Sequence, residues 1–224
     1  MENLPIYIST IFILTTIVTV GLLIKAGSNL KNTVLLLSGW LVFQAFLGLS
    51  GFYLVTDTIP PRFILLISIP ILAIIIIFNT KQGKEYLNAL DPGTLTLLHV
   101  IRIPVELVLF WLFLNKGVPE LMTFEGRNFD ILSGITAPFI YYFGYRKNFL
   151  SKNVLLIWNV VCLGLLFNIV TNAILSSPVP FQQFAFDQPN VAILYFPFVW
   201  LPCCVVPIVL FAHLVSIRKL LMQQ

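Results

Sequence analysis

Long apolar runs separated by short polar segments fill almost the whole chain, and none of them alternates apolar and polar positions with a period of two. A helix rising 1.5 Å per residue needs about 20 apolar residues to cross a hydrocarbon core of about 30 Å. Seven runs approach that length, near Ile6 to Ile24, Thr33 to Val55, Arg62 to Phe78, Leu95 to Leu114, Phe129 to Arg146, Asn153 to Leu175 and Val191 to Ile217. Backbone groups in lipid must be satisfied internally, so continuous apolar runs predict helices rather than the alternating strands of a barrel. The predicted class is all-α, a polytopic integral membrane protein with seven transmembrane helices. No stretch is left for a separate soluble domain, so residues 1–224 are read as one membrane domain. Gly83 to Pro92 is too polar to span, and its Tyr86, Leu87 and Leu90 among Lys84, Glu85 and Asp91 predict a short interfacial helix. Pro70, Pro104, Pro138, Pro197, Pro202 and Pro207 lie inside the runs, where each removes a helical hydrogen bond and favours a kink.

Polar residues at the run ends give the chain a direction. Lys25, Lys31, Lys81, Lys84, Arg146, Lys147, Lys152, Arg218 and Lys219 follow alternate spans and face one side. The other side has Arg62, Lys116 and Arg127 with Glu2, Asp57, Glu120, Glu125, Asp130 and Asp187. The positive-inside rule then sets the N-terminus outside and the C-terminus in the cytoplasm of the plasma (inner) membrane. Met1-Glu2-Asn3 lacks the basic region of a signal peptide, so the first run is read as a retained span. The net charge of +4 is carried by these flanking residues, which makes the lipid bilayer the expected partner and nucleic acid an unexpected one. Charged residues are 10% of the chain and apolar ones 58%, against roughly 25% charged in soluble domains. Cys162, Cys203 and Cys204 lie within apolar runs, are odd in number, and give no disulfide framework.

An internal echo joins the two ends of the chain. Lys31-Asn32 precedes Val34-Leu35-Leu36 as Lys152-Asn153 precedes Val154-Leu155-Leu156, and two later apolar runs each close on proline, at Pro70 and Pro197. This divides the chain into parallel repeats, 1–78 and 129–217, around a linker helix at 95–114. The three-one-three layout with an outside N-terminus resembles that of the SWEET sugar transporters. The resemblance is one of layout, and no functional residue follows from it.

Candidate chemistry concentrates on the fourth run. His99, Arg102 and Glu106 fall within about 60° of one another at about 100° per residue, so they share one helical face. Ionisable groups in a membrane are costly and usually face a partner, a cavity or a substrate path. Arg102 and Glu106, at i and i+4, have the spacing of an ion pair. Gln44 in the second run and Asn159, Asn168 and Asn172 in the sixth are the amides that could complete a polar cavity. Glu125, Arg127, Asn128 and Asp130 concentrate charge before the fifth run and read as an outer gate, or as a solvated loop that caps the next helix. His99 and His213 have matching depths, the one geometry by which the chain's two histidines could hold a haem iron. No phosphate loop, zinc cluster or nucleophile elbow is present, so no metal or other cofactor is expected. The leading expectation is a small-molecule or proton/ion-coupled transporter or binding protein. In it Glu106, Arg102, His99, Gln44, Asn168 and Asn172 form the binding or proton-coupling site. The alternatives are an intramembrane enzyme acting on a lipid or isoprenoid, with His99 or Glu106 as acid or base, and a structural or sensory membrane subunit.

Overall fold

The computed structural model describes residues 4–27 and 30–222, and every regular element among them is helical. Glu2, counted above on the acidic side, lies outside the described residues. In chain order the helices are α1 (Ile6–Ala26), α2 (Leu30–Leu49), α3 (Ile64–Asn79), α4 (Lys81–Ala89), α5 (Pro92–Leu98), α6 (Arg102–Leu114), α7 (Ile131–Ile140), α8 (Lys152–Leu175) and α9 (Val206–Met222).

Five stretches are long and apolar enough to cross a membrane, where the sequence predicted seven: Ile6–Ala26, Lys31–Leu49, Pro92–Leu114, Lys152–Leu175 and Leu201–Met222. A sixth results if α3 and α4, which meet at 92°, are counted together. The corner has a local cause. Thr80 caps α4 by accepting the Gly83 N–H, and a Cβ on Gly83 would stand 2.0 Å from the Ile77 carbonyl oxygen, so only glycine lets the two helices fold this tightly. α4 is a short helix where one was expected at Gly83 to Pro92, begun two residues earlier and ended at Ala89. The fifth predicted run is shorter than expected because α7 has only ten α-helical residues before a six-residue π-helical segment at Tyr141–Arg146. The seventh begins late: Val191 to Trp200 is mostly irregular, and regular helix starts with a π-helical turn at Leu201–Val205. Pro207 has no N–H to offer the Cys203 carbonyl four residues before it, and the Trp40 indole donates to that carbonyl instead, at 2.9 Å.

α9 is the most enclosed span, with 72% of its apolar window buried, and packs against α5 and α8. α1 lies beside α5 and α6. Its buried Thr15, Thr16 and Thr19 each return the hydroxyl hydrogen to the carbonyl four residues earlier, which satisfies a polar group without a partner helix. α2 is the outlier at 11%. It is fastened near its middle by Trp40 and by Trp200, whose indole donates to the Leu41 carbonyl at 3.0 Å, while Leu35 and Leu36 nearer its start are exposed.

Candidate functional site

The α5–α6 rod carries the three ionisable residues singled out from the sequence, and all three are buried: His99, Arg102 and Glu106. The rod tightens into a 3-10 turn at His99–Ile101, just ahead of Pro104. What faces this rod differs from the sequence expectation. Arg102 does not pair with Glu106 along its own helix. Its ion pair is with Asp130, Nη1 to Oδ1 at 2.8 Å, and it is the only salt bridge among the described residues. Gly134, one turn after Asp130 on α7, explains the choice. A Cβ there would lie 2.9 Å from Ile103 Cγ1, so the missing side chain lets α7 close on α6 and brings Asp130 within reach of Arg102.

Glu106 is held by the loop before α7. The Asn128 side-chain amide donates to both Glu106 oxygens, at 2.6 and 2.7 Å, and to the Met122 carbonyl at 3.0 Å. Asn128 Oδ1 accepts the Asp130 N–H at 3.0 Å, so one residue fixes the two carboxylates relative to each other. The loop folds inward only because Gly126 has no Cβ, which would meet the Glu120 carbonyl oxygen at 2.3 Å. The expected outer gate therefore divides: Glu125 and Arg127 are exposed, while Asn128 and Asp130 are buried in the bundle.

On its other side Arg102 reaches α9. Nη2 is 3.0 Å from His213 Nε2, and Nη1 donates to the Cys162 carbonyl at 3.4 Å. Guanidinium has donors only, so His213 Nε2 must accept, and the His213 proton resides on Nδ1. That N–H points at Asn159 Oδ1, 2.9 Å away, and the Asn159 amide in turn donates to the Leu155 carbonyl at 2.9 Å. Hydrogen-bond logic thus fixes His213 as a neutral imidazole. His99 stacks on it face to face, with ring centroids 3.8 Å apart and planes 16° from parallel, and Trp158 sits edge-on to His99 at 5.6 Å. Two imidazoles stacked this closely leave no place between them for an iron, and both His213 nitrogens are already engaged, so the haem geometry considered for His99 and His213 fails. Among the described residues no group of three or more metal-ligating side chains is assembled.

Neither nitrogen of His99, which is fully buried, has a hydrogen-bond partner. Arg102 Nε is likewise buried without one. Leaving a buried polar atom unsatisfied costs about 1–3 kcal/mol, so such atoms are uncommon and call for a reason. The amides divide as well. Asn159, named only as an accessory, belongs to the site. Gln44 takes the Tyr53 hydroxyl at 2.6 Å, and exposed Asn168 donates to the Arg127 carbonyl at 2.8 Å while receiving Asn172 at 3.5 Å. None of Gln44, Asn168 and Asn172 bonds to the His99–Arg102–Glu106 face. Sequence reasoning did not anticipate the role of the Cys162 carbonyl, which has no signature, or of Trp158.

His99, Arg102, Glu106, Asp130 and His213 are all buried. A 740 Å³ cleft lies elsewhere, between α2, α3, α4 and α9, and its lining includes none of His99, Arg102, Glu106, Asp130 or His213. With the site described, the chain can be compared with known proteins. Residues 55–221 match the family described as a domain of unknown function, DUF8737, and the chain belongs to that family. No curated protein and no solved structure matches it.

Proposed function

We propose that this family member is a proton- or ion-coupled transporter or binding protein of the plasma membrane, with the buried Glu106–Asn128–Asp130–Arg102–His213–His99 assembly as its coupling site. In this reading the N-terminus is outside and the C-terminus cytoplasmic, with α3 and α7 completing seven crossings. The observation that carries it is the charge count of a sealed cluster: two carboxylates, Glu106 and Asp130, stand near one guanidinium that pairs with Asp130 alone, and His213 is neutral by its hydrogen bonds. With both carboxylates ionised the cluster bears one uncompensated negative charge away from water, a state that a single proton or monovalent cation relieves. Asp130 already has its counter-ion. Glu106 faces only an amide, so it is the group that takes the proton, and the unpartnered nitrogens of His99 supply a second seat on the same assembly.

The other two classes find less support. An enzyme acting on a lipid with His99 or Glu106 as acid or base needs those groups on the apolar cleft, whose walls do not include them. A subunit that docks a partner through this polar face needs the face exposed, and its members are buried within one chain.

Infrared difference titration of the protein in nanodiscs tests the proposal. Wild type should show a protonated-carboxyl band that responds to pH, absent in Glu106→Gln and intact in Glu120→Gln, which alters an exposed loop. If the band persists in Glu106→Gln with the fold preserved, the carboxylate is a packing element and the coupling reading falls.

A further inference from the structure

We infer that the cleft between α2, α3, α4 and α9 is a binding site for one anionic phospholipid, with an acyl chain in the cleft and the headgroup at its lysine-flanked end. The inference is independent of the proton-coupling reading, because the cleft and the buried charge cluster share no side chain.

The cleft follows from how α2 is held. Its middle is fastened by the Trp40 and Trp200 indoles and its far end by close packing, since a Cβ on Gly48 would lie 3.1 Å from Val199. The earlier half meets α4 at its start, where Thr33 and Tyr86 are hydrogen-bonded, and between that contact and Trp40 a Cβ on Gly39 would meet no atom within 4 Å. A wedge of space therefore opens between this half of α2 and the α3–α9 wall, with a volume of 740 Å³, inside the range of about 300–1,000 Å³ typical of small-molecule sites.

The wedge is graded along its length. One end is lined by Trp40, Phe43, Ile69, Pro70 and Cys204, and the other by Asn32, Thr80, Gln82 and Tyr86. From Asn32 to Phe43 the helix rises about 16 Å, so a chain with a polar head meets both environments at once. Lys31 precedes Asn32, and Lys81 and Lys84 bracket Gln82 and Gly83; all three lysines are exposed, with Glu85 the single acid in these segments. The polar end therefore presents an excess of positive charge to whatever head lies there. An anionic phospholipid matches the three features together: an apolar tail, a lateral route in from the bilayer past exposed Leu35 and Leu36, and a negative head.

The test uses the full-length protein in detergent, equilibrated with equal amounts of phosphatidylglycerol and phosphatidylcholine of identical chains and read by native mass spectrometry. Wild type should retain one phosphatidylglycerol with a preference of about fivefold or more, the size expected from even one lysine near a headgroup. Replacing Lys31, Lys81 and Lys84 together by Gln should bring the preference close to one, and Gly39→Phe, which fills the wedge from α2, should abolish retention of either lipid. Phosphatidylglycerol with brominated chains gives a readout that needs no wedge-filling variant: it should quench wild type more than Trp40→Phe by the Trp40 contribution. Equal retention of the two lipids by wild type, undiminished retention by folded Gly39→Phe, or no Trp40 share in the quenching would each overturn the inference.

Discussion

Replacing Arg102 by Met keeps an unbranched side chain of similar length and removes the only cation in a cluster that holds two carboxylates. Arg102 and Asp130 are 2.8 Å apart with side chains 2% and 7% exposed, so Asp130 would be left ionised without solvent, or protonated at a cost, beside Glu106. Breaking a buried pair from one side costs about 3–5 kcal/mol. For a chain of this size, about 2–4 °C per kcal/mol converts that to a fall in Tm of roughly 6–20 °C. Asp130→Asn in the Arg102→Met background removes the stranded charge and should restore part of the loss; the rest stays lost because His213 Nε2 and the Cys162 carbonyl no longer have their donor. Arg102→Lys should fall between, since an ammonium keeps the charge but cannot spread over Asp130, His213 and Cys162 as the fork does. Cys162, Cys203 and Cys204 are all buried, so a thiol-reactive fluorogenic dye in a temperature ramp reports unfolding directly. The reasoning fails if the two single losses add to the double within about 0.5 kcal/mol, as they would for residues that do not interact.

Asp91 caps α5 by accepting from the Thr94 N–H at 2.7 Å and the Thr94 hydroxyl at 2.6 Å. Burial alone would raise its pKa, but the Thr94 and Gly93 hydrogen bonds and the Lys219 charge outweigh burial and hold the carboxyl below its ordinary value. Its stabilising contribution is thus complete above the ordinary carboxylate pKa and is lost as pH falls through the lowered one; Asp91→Ala should cost about 0.5–2 kcal/mol at neutral pH and less in acid, read by the same dye. Gly83→Ala should open the α3–α4 corner, because its Cβ cannot share space with the Ile77 carbonyl, and a spin-label pair on the two helices should lengthen. A reporter fused at the C-terminus should be active in cytoplasm, and activity only outside would invert the proposed orientation.

The apolar runs made the long helices legible, because length and hydropathy decide a span without reference to neighbours. The His99–Arg102–Glu106 face was legible for the same kind of reason, since helical periodicity fixes which residues share a side. What that face meets is set by distant segments. Asn128 and Asp130 sit in a charged stretch that looks like a loop, and their burial depends on Gly126 and Gly134 permitting close approaches that no local pattern announces. The i, i+4 spacing of Arg102 and Glu106 pointed to a helical pair, yet the guanidinium reaches across to Asp130 at the start of α7, Cys162 on α8 and His213 on α9, because these three acceptors fit its fork better than one carboxylate on its own helix. The shortness of α7 and the late start of regular helix before α9 escaped notice because Tyr141–Arg146 and Val191–Trp200 are apolar in composition, and composition does not show where α-helical bonding yields to other turns.

The two indole bonds that fasten α2 join residues 163 and 159 positions apart in the chain. α2 is thus among the first helices made, while the two indole bonds at its middle are completed among the last. At a synthesis rate of about 5–20 residues per second, α2 waits roughly 8–33 s for Trp200 and the Cys203 carbonyl to emerge. Through that interval its polar contacts are those made earlier, Tyr53 on Gln44 and Tyr86 of α4 on Thr33. Closure at the middle of α2 is accordingly a late event of biogenesis: a nascent chain cut anywhere before residue 200 lacks both indole bonds there.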